Sequence, residues 1–217
     1  MKGNPEVAVV GAGSAGLYAA LTAAREGART VLVSQAALAT TASYWAQGGI
    51  AAALGDDDSI ELHQADTLAA GRRLGRVSAV RALVTGSPGA VEDLITLGVD
   101  FDRENGRLAL GLEGGHSRRR VVHAGGSATG RRITRQLSAK VAEHPLIEVV
   151  EHASAKALVI VDGRCVGVRV EVGGESRTIA ARAILLATGG SAALWARSTN
   201  PPAAVGSGLL MAHAAGA

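Results

Sequence analysis

Apolar positions along this chain follow two spacings, and the places where one gives way to the other mark its elements. The run Val7-Ala8-Val9-Val10 precedes Leu17, Ala20, Leu21 and Ala24 at helical spacing, which predicts a buried strand leading directly into a helix. Gly27 ends that helix, and Arg29–Val33 reads as a second parallel strand. Asp58 and Glu61 stand at capping-box spacing and predict a helix start after Asp56-Asp57-Asp58. Two further helices are predicted, over Val77–Thr85 and Pro88–Leu97, the second with Ser87 as N-cap and Pro88 at its first position. Residues Val99–Leu110 suggest an irregular hairpin around Asn105-Gly106.

Beyond Ser127-Ala128-Thr129 the spacing is again helical. Ile133, Leu137 and Val141 share an apolar face, while Arg131, Arg132, Arg135 and Lys140 take the solvated one. From Ile147 the period becomes two. Strands over Ala153–Val161, Val166–Val172 and Arg177–Ala181 are separated by Asp162-Gly163 and Gly173-Gly174 turns. A last apolar strand from Ala183 ends in the small-residue turn Thr188-Gly189-Gly190. The fold class is therefore α/β: a Rossmann-like parallel sheet with a small antiparallel β-meander inserted into it.

Composition sharpens this picture. Of 217 residues 47% are hydrophobic, enough for one sizeable core, yet the aromatic residues are only Tyr18, Tyr44, Trp45, Phe101 and Trp195. Val, Leu, Ile and Ala must build the core, as suits helices lying closely on a buried parallel sheet. A net charge of +3 is too small to point to nucleic acid, and no aromatic residues interleave with the arginines. The single Cys165 excludes an internal disulfide and a four-cysteine zinc site, and reads as a buried strand thiol in a reducing compartment. No charge falls between Val7 and Ala24, but glycines interrupt the stretch and a membrane span is not expected.

Those glycines carry the first chemistry. Gly11-Ala12-Gly13-Ser14-Ala15-Gly16 is Gly-x-Gly-x-x-Gly between a strand and a helix. Gly11 permits a tight turn, Gly13 lets the backbone approach a pyrophosphate, and Gly16 lets the helix lie against the strand. The helix start at Ser14 and Ala15 then faces the phosphates. The acidic residue that holds ribose hydroxyls in NAD-type sites is missing, because the second strand ends in Ser34-Gln35. Between Thr40 and Ile50, small and hydroxyl side chains surround Tyr44 and Trp45 and lead to Gly48-Gly49, a loop able to press amides against a planar ring or phosphate. A metal reading of the three successive aspartates has little support, because sequential side chains rarely converge on one ion, and His116 and His123 lack a third ligand at a recognisable spacing. By composition alone Leu112–Gly126, with Arg118-Arg119-Arg120, reads as a solvated basic loop.

Taken in order, the opening glycine turn, the meander and the closing Ala187-Thr188-Gly189-Gly190 resemble two-dinucleotide-binding-domain flavoproteins. Ala46-Gln47-Gly48-Gly49-Ile50-Ala51 and Thr199-Asn200-Pro201 narrow the resemblance to the succinate dehydrogenase, fumarate reductase and L-aspartate oxidase family. Glu113-Gly114-Gly115-His116-Ser117-Arg118-Arg119 with His123-Ala124 is similar to its L-aspartate oxidase branch.

The resemblance implies an FAD-binding domain over 1–217, its first segment only, without the capping domain, second FAD segment and C-terminal helical domain. It implies FAD with its pyrophosphate at Gly13, Ser14, Ala15 and Gly16, its ribose near Ser34 and Gln35, and its ring near Ser43, Tyr44, Trp45, Ala46, Gln47, Gly48 and Gly49. Ser154 and Ala155 match an adenine-side contact, and Thr188, Gly189, Gly190 and Ser207 lie near the cofactor. Ala42 replaces the histidine that links FAD covalently in relatives, so the cofactor is expected to be non-covalent. Glu113, where the dicarboxylate enzymes carry an aromatic residue, would pair with the α-ammonium of L-aspartate.

The implied reaction is L-aspartate with oxygen to iminoaspartate and hydrogen peroxide, the first step of quinolinate and NAD synthesis, in the cytoplasm. A related C4 dicarboxylate is the other substrate class. No catalytic acid or base falls in this chain, and Ser127, Ser207 and Leu112 replace polar residues of the family. The expectation is weak FAD binding and no aspartate turnover by the chain alone. A fumarate- or succinate-linked flavoprotein and a non-catalytic nucleotide-binding module are the alternatives. Oligomeric state is not legible.

Overall fold

A computed structural model describes residues 4–201 and 203–217. In chain order the elements are β1 (Val7–Val10), α1 (Ser14–Arg25), β2 (Thr30–Val33), β3 (Ile50–Ala51), α2 (Ile60–Ala70), α3 (Val77–Thr96), β4 (Arg103–Glu104), β5 (Arg107–Leu108), β6 (Leu110–Gly111) and β7 (Val121–Val122). Then follow α4 (Thr129–Glu143), β8 (Ile147–Val150), β9 (Ala153–Val161), β10 (Arg164–Val172), β11 (Glu175–Ala180), β12 (Ala183–Leu186) and α5 (Ser207–Ala214). The chain divides into two compact units, Met1–Trp45 with Thr134–Ala217, and Ala46–Ile133.

The first unit is built on a parallel sheet in the order β12-β1-β2-β8. Val10 stands opposite both Leu186 and Val33, and Val33 opposite Val150, so the four strands end level. β1 is flanked by β2 and by the last strand of the chain, which makes the gap between β1 and β12 a topological switch point. Helix α1 buries Leu17, Ala20, Leu21 and Ala24, the predicted face. Ile133, Leu137 and Val141 of α4 are buried as expected, with Arg131, Arg132, Arg135 and Lys140 exposed.

The meander is a three-stranded antiparallel sheet, β11-β10-β9. Its tight turns place Asp162 and Gly163 at φ 49° and 73°, and Gly173 and Gly174 at 59° and 86°. Both central residues thus have positive φ, the hairpin geometry that matches strand twist. Ala8, Val10, Val31 and Val33 of the parallel sheet share one cluster with Val168 and Val170 of β10 and Met211 of α5. Cys165 departs from the expected burial: it is half-buried in β10, its thiol 3.7 Å from the Gly167 carbonyl.

In the second unit α2 packs on α3, and β7 pairs antiparallel with both β3 and β6. The predicted hairpin forms as β4 and β5 around Asn105-Gly106. The structure departs from the predicted elements at two places. First, α3 is one helix, not two, and runs through Pro88. Proline has no N–H to give the Val84 carbonyl four residues back. Ser87 Oγ, buried, donates to that carbonyl instead at 2.9 Å, so the ladder loses a bond without orphaning its acceptor. Second, the cap of α2 is Ser59, whose hydroxyl accepts from the Leu62 amide at 3.2 Å. Asp58 faces elsewhere. Among the described residues no helix is long and apolar enough to cross a membrane.

Candidate functional site

The level ends of the parallel strands deliver one group of predicted residues to one edge. Gly11 leaves β1 with φ +111°, and its amide donates to the Val33 carbonyl at 2.9 Å. A Cβ on Gly11 would strike the Ala187 carbonyl, and one on Gly16 would strike the Gly11 carbonyl. Both glycines therefore serve close packing. Gly13 is different. Its φ of −71° suits any residue, it caps α1 without a side chain, and no acidic residue occupies the first turn. A Cβ there would meet only Ser43 Oγ, at 3.1 Å. The Ser14 amide donates to that hydroxyl at 3.0 Å. A half-exposed helix start with bare glycine and a serine hydroxyl fits an anion such as a pyrophosphate.

At the next strand end Ser34 is buried, and its hydroxyl donates to the Ala36 carbonyl at 2.5 Å. The Ala153 amide donates to the Ser34 carbonyl at 2.9 Å, which brings Ser154 and Ala155 at the start of β9 beside it. Gln35 is exposed. Thr188 lies against Gly208 of α5, and the Gly206 amide donates to the Gly190 carbonyl at 3.0 Å, so Thr188–Gly190 and Ser207 form one corner. Residues Ala42–Trp45 make a 3-10 turn, with Ala42 exposed. Tyr44 and Trp45 meet edge-on at 5.2 Å, and Arg135 lies over the Tyr44 ring.

The second unit holds a cavity of about 610 Å³, whose lining includes Gln47, Gly48, Asp102, Glu113, Arg119 and His123. It thus brings Glu113 together with part of the predicted glycine loop. Within it His123 Nε2 donates to Glu113 Oε1 at 2.9 Å, an interaction that the sequence reading missed. Asp102 accepts from the Gly125 and Gly126 amides at 2.7 and 2.9 Å. Those two bonds, Gly126 first, hold its carboxyl below the ordinary carboxylate value despite some burial.

The arginine run is not a solvated loop throughout. Arg120 is fully buried, a correction to the composition reading. Its guanidinium donates to both Asp58 oxygens at 2.8 Å and to Asp66 Oδ2 at 2.7 Å. The Ser117 amide and hydroxyl also donate to Asp66 Oδ2, at 2.7 and 2.8 Å. Burial works against the Asp66 charge, but Ser117 and Arg120 outweigh it and hold the carboxyl below its usual range. Burial likewise opposes the Arg120 charge, and Asp58 and Asp66 overcome it, raising its proton affinity. His116 Nδ1 lies 3.4 Å from Arg120, and since a guanidinium only donates, that nitrogen is the acceptor. His63 packs beside His116 with ring centroids 5.8 Å apart. Its burial, then the charge of Arg120, lower its proton affinity.

A family model described as FAD binding domain matches residues 6–217. The chain is 46% identical over 211 residues to an L-aspartate oxidase of Mesorhizobium japonicum, covering 96% of this chain and 41% of that protein. It is 45% identical over 218 residues to an L-aspartate oxidase of Streptomyces coelicolor, covering 98% and 38%. Among solved structures, the Mycobacterium smegmatis Sdh1 complex superposes with TM-score 0.93 at 30% identity, over 98% of this chain and 39% of that one. An E. coli quinol fumarate reductase gives 0.93 at 29% identity, over 98% and 37%. The chain spans about two fifths of the length of the curated relatives it matches. Matched along all but its first five residues, this chain belongs to the FAD-binding-domain family of flavoproteins, whose cofactor is FAD.

Proposed function

We propose that this chain is the cofactor-holding part of an L-aspartate-oxidising flavoprotein, converting L-aspartate and oxygen to iminoaspartate and hydrogen peroxide. The observation that carries the substrate is Glu113, a carboxylate lining the same cavity as Gln47 and Gly48. A carboxylate attracts the ammonium that distinguishes aspartate from succinate, and neither succinate nor fumarate has a group to satisfy it.

Each residue has a stated part. Gly13, Ser14, Ala15 and Gly16 would receive the pyrophosphate on the α1 amides, with Ser43 beside them. Ser34, Gln35, Ser154 and Ala155 would hold the ribose and adenine side, Thr188–Gly190 and Ser207 a neighbouring edge, and Ser43–Gly49 the ring. Ala42 offers no nucleophile, so FAD is held without a covalent bond. FAD, when bound, supplies the two-electron acceptor for the Cα–H hydride. Glu113 binds and orients the ammonium, and no residue of this chain is assigned as catalytic acid or base. The likeness to L-aspartate oxidases supports this reading, and on it the reaction would stand at the entry to NAD synthesis. A chain with a single cysteine suits the cytoplasm.

Thermal unfolding with FAD, NAD or ADP, followed by titration with L-aspartate and succinate, tests this. FAD should raise the melting temperature beyond ADP, and L-aspartate should bind the loaded protein better than succinate does. Equal shifts for FAD and ADP would leave a plain nucleotide-binding module. A preference for succinate or fumarate would move the protein to the dicarboxylate-linked alternative.

A further inference from the structure

The carboxylate at Glu113 and the ring at His123 are held very differently. Glu113 lies in the irregular loop between β6 and β7, and its side chain is 48% exposed. A glutamate at such a place has several rotamers open to it, and fixing one costs side-chain entropy. His123 directly follows β7, whose pairing to β6 sets Leu110 opposite Val122 and Gly111 opposite Val121. Its carbonyl accepts from the Asp102 amide at 2.8 Å, so the backbone on which the ring stands is fixed.

The ring itself is walled by backbone. A Cβ on Gly49 would come within 3.1 Å of His123 Cδ2, and one on Gly111 within 3.3 Å of Cε1. Two places without side chains thus leave room for the imidazole and limit where it can swing. Its Nε2 then reaches Glu113 Oε1 at 2.9 Å. An ionised carboxylate only accepts, so Nε2 carries the proton of this bond. One carboxylate oxygen is engaged by a rigid donor and the remaining lone pairs are left for a ligand. Charged groups near the ring include Glu113 and Asp102, with Arg132 acting on Asp102 and Glu104 and Arg119 lining the same cavity.

We infer that His123 is a positioning residue that sets the discrimination between an amino dicarboxylate and a plain dicarboxylate by holding Glu113 in one orientation toward the substrate ammonium. This rests on the proposed role of Glu113. His123 itself touches the carboxylate, not the reacting carbon. The contribution of the ring is confined to ligands that bear an ammonium, because only these use Glu113.

The test compares L-aspartate and succinate binding, by calorimetry, to the FAD-saturated chain and its variants. His123→Ala should weaken L-aspartate about tenfold, the value of one hydrogen bond to a charged group, and leave succinate unchanged. His123→Gln, whose amide reaches Oε1 with an N–H, should restore most of the loss. Gly111→Ala, which pushes the ring without changing its chemistry, should reproduce the loss in weaker form. Equal weakening of both ligands by His123→Ala, or no rescue by glutamine, overturns the inference. Glu113→Gln separates the two claims. If that variant still prefers aspartate, or if the wild-type chain binds neither ligand, the role of Glu113 falls and that of His123 with it. If Glu113→Gln abolishes the preference while His123→Ala keeps it, only the inference about His123 fails.

Discussion

The Arg120 guanidinium makes a two-bond fork with Asp58, 2.8 Å to each oxygen, and both side chains are wholly out of water. With Asp66 as second partner, the arginine ties the loop before α2, α2 itself and the approach to β7 into one knot. Removing one side of a buried pair leaves uncompensated charge. Arg120→Ala should therefore lower unfolding stability by about 3–5 kcal/mol. Arg120→Lys should lose less, because it keeps the charge but cannot form the fork. Urea unfolding of the three proteins measures both differences.

His63 gives the protein an acid-side slope. A histidine whose proton affinity is lowered on folding is held neutral in the native state, while the unfolded chain protonates near the ordinary value of 6.5. Its contribution is whole above that value and shrinks as pH falls toward the lowered native one. Burial is the main cause, and its Nδ1 has no hydrogen-bond partner. Wild-type stability should fall between about pH 7.5 and about pH 5.5, and His63→Leu should flatten that fall. The check is denaturant unfolding at the two pH values. Asp66 and Asp102, both held low, contribute their full share above about the ordinary 3.8 and lose it as pH drops below that value.

The three glycines of the first turn should separate folding from cofactor binding. Gly16→Ala drives a methyl into the Gly11 carbonyl and Gly11→Ala one into Ala187, so both variants should be clearly destabilised. Gly13→Ala needs no strained φ, and its methyl meets a hydroxyl free to shift. It should cost about 1 kcal/mol or less in stability, yet weaken FAD about tenfold or more by standing where a phosphate must approach. Flavin titration beside urea unfolding reads the two effects apart.

What the sequence shows and what it hides divide along physical lines. The turn from β1 into α1, the face of α4 and the meander were legible, because each rests on neighbours within a few residues. Asp162-Gly163 and Gly173-Gly174 even specify the turn backbone. The burial of Arg120 was not legible. Charge runs are exposed in most chains, and its partners lie 62 and 54 residues away. Nothing local marks which of Arg118, Arg119 and Arg120 turns inward. The Glu113–His123 pair is ten residues apart across a loop, and only the β6–β7 register brings the two together. The glycines at 49 and 111 were a signal, though their meaning needed the ring's position.

Helix α3 offers the sharpest check of local compensation. A serine before a proline reads as a helix start, because Ser caps well and Pro suits the first turn. Here both lie inside a helix of 20 residues. The reconciliation is the Ser87 hydroxyl, which gives the Val84 carbonyl the donor that Pro88 lacks. Ser87→Ala alone should orphan a buried acceptor and cost about 1–3 kcal/mol. Pro88→Ala should restore the backbone N–H and stabilise the helix. In the Pro88→Ala background the serine hydroxyl becomes redundant, so Ser87→Ala should then cost little. The four proteins form a double-mutant cycle, and a coupling of about 1 kcal/mol or more is expected. Additive effects would mean that the hydroxyl and the missing N–H are unrelated, and that α3 passes through Pro88 for some other reason.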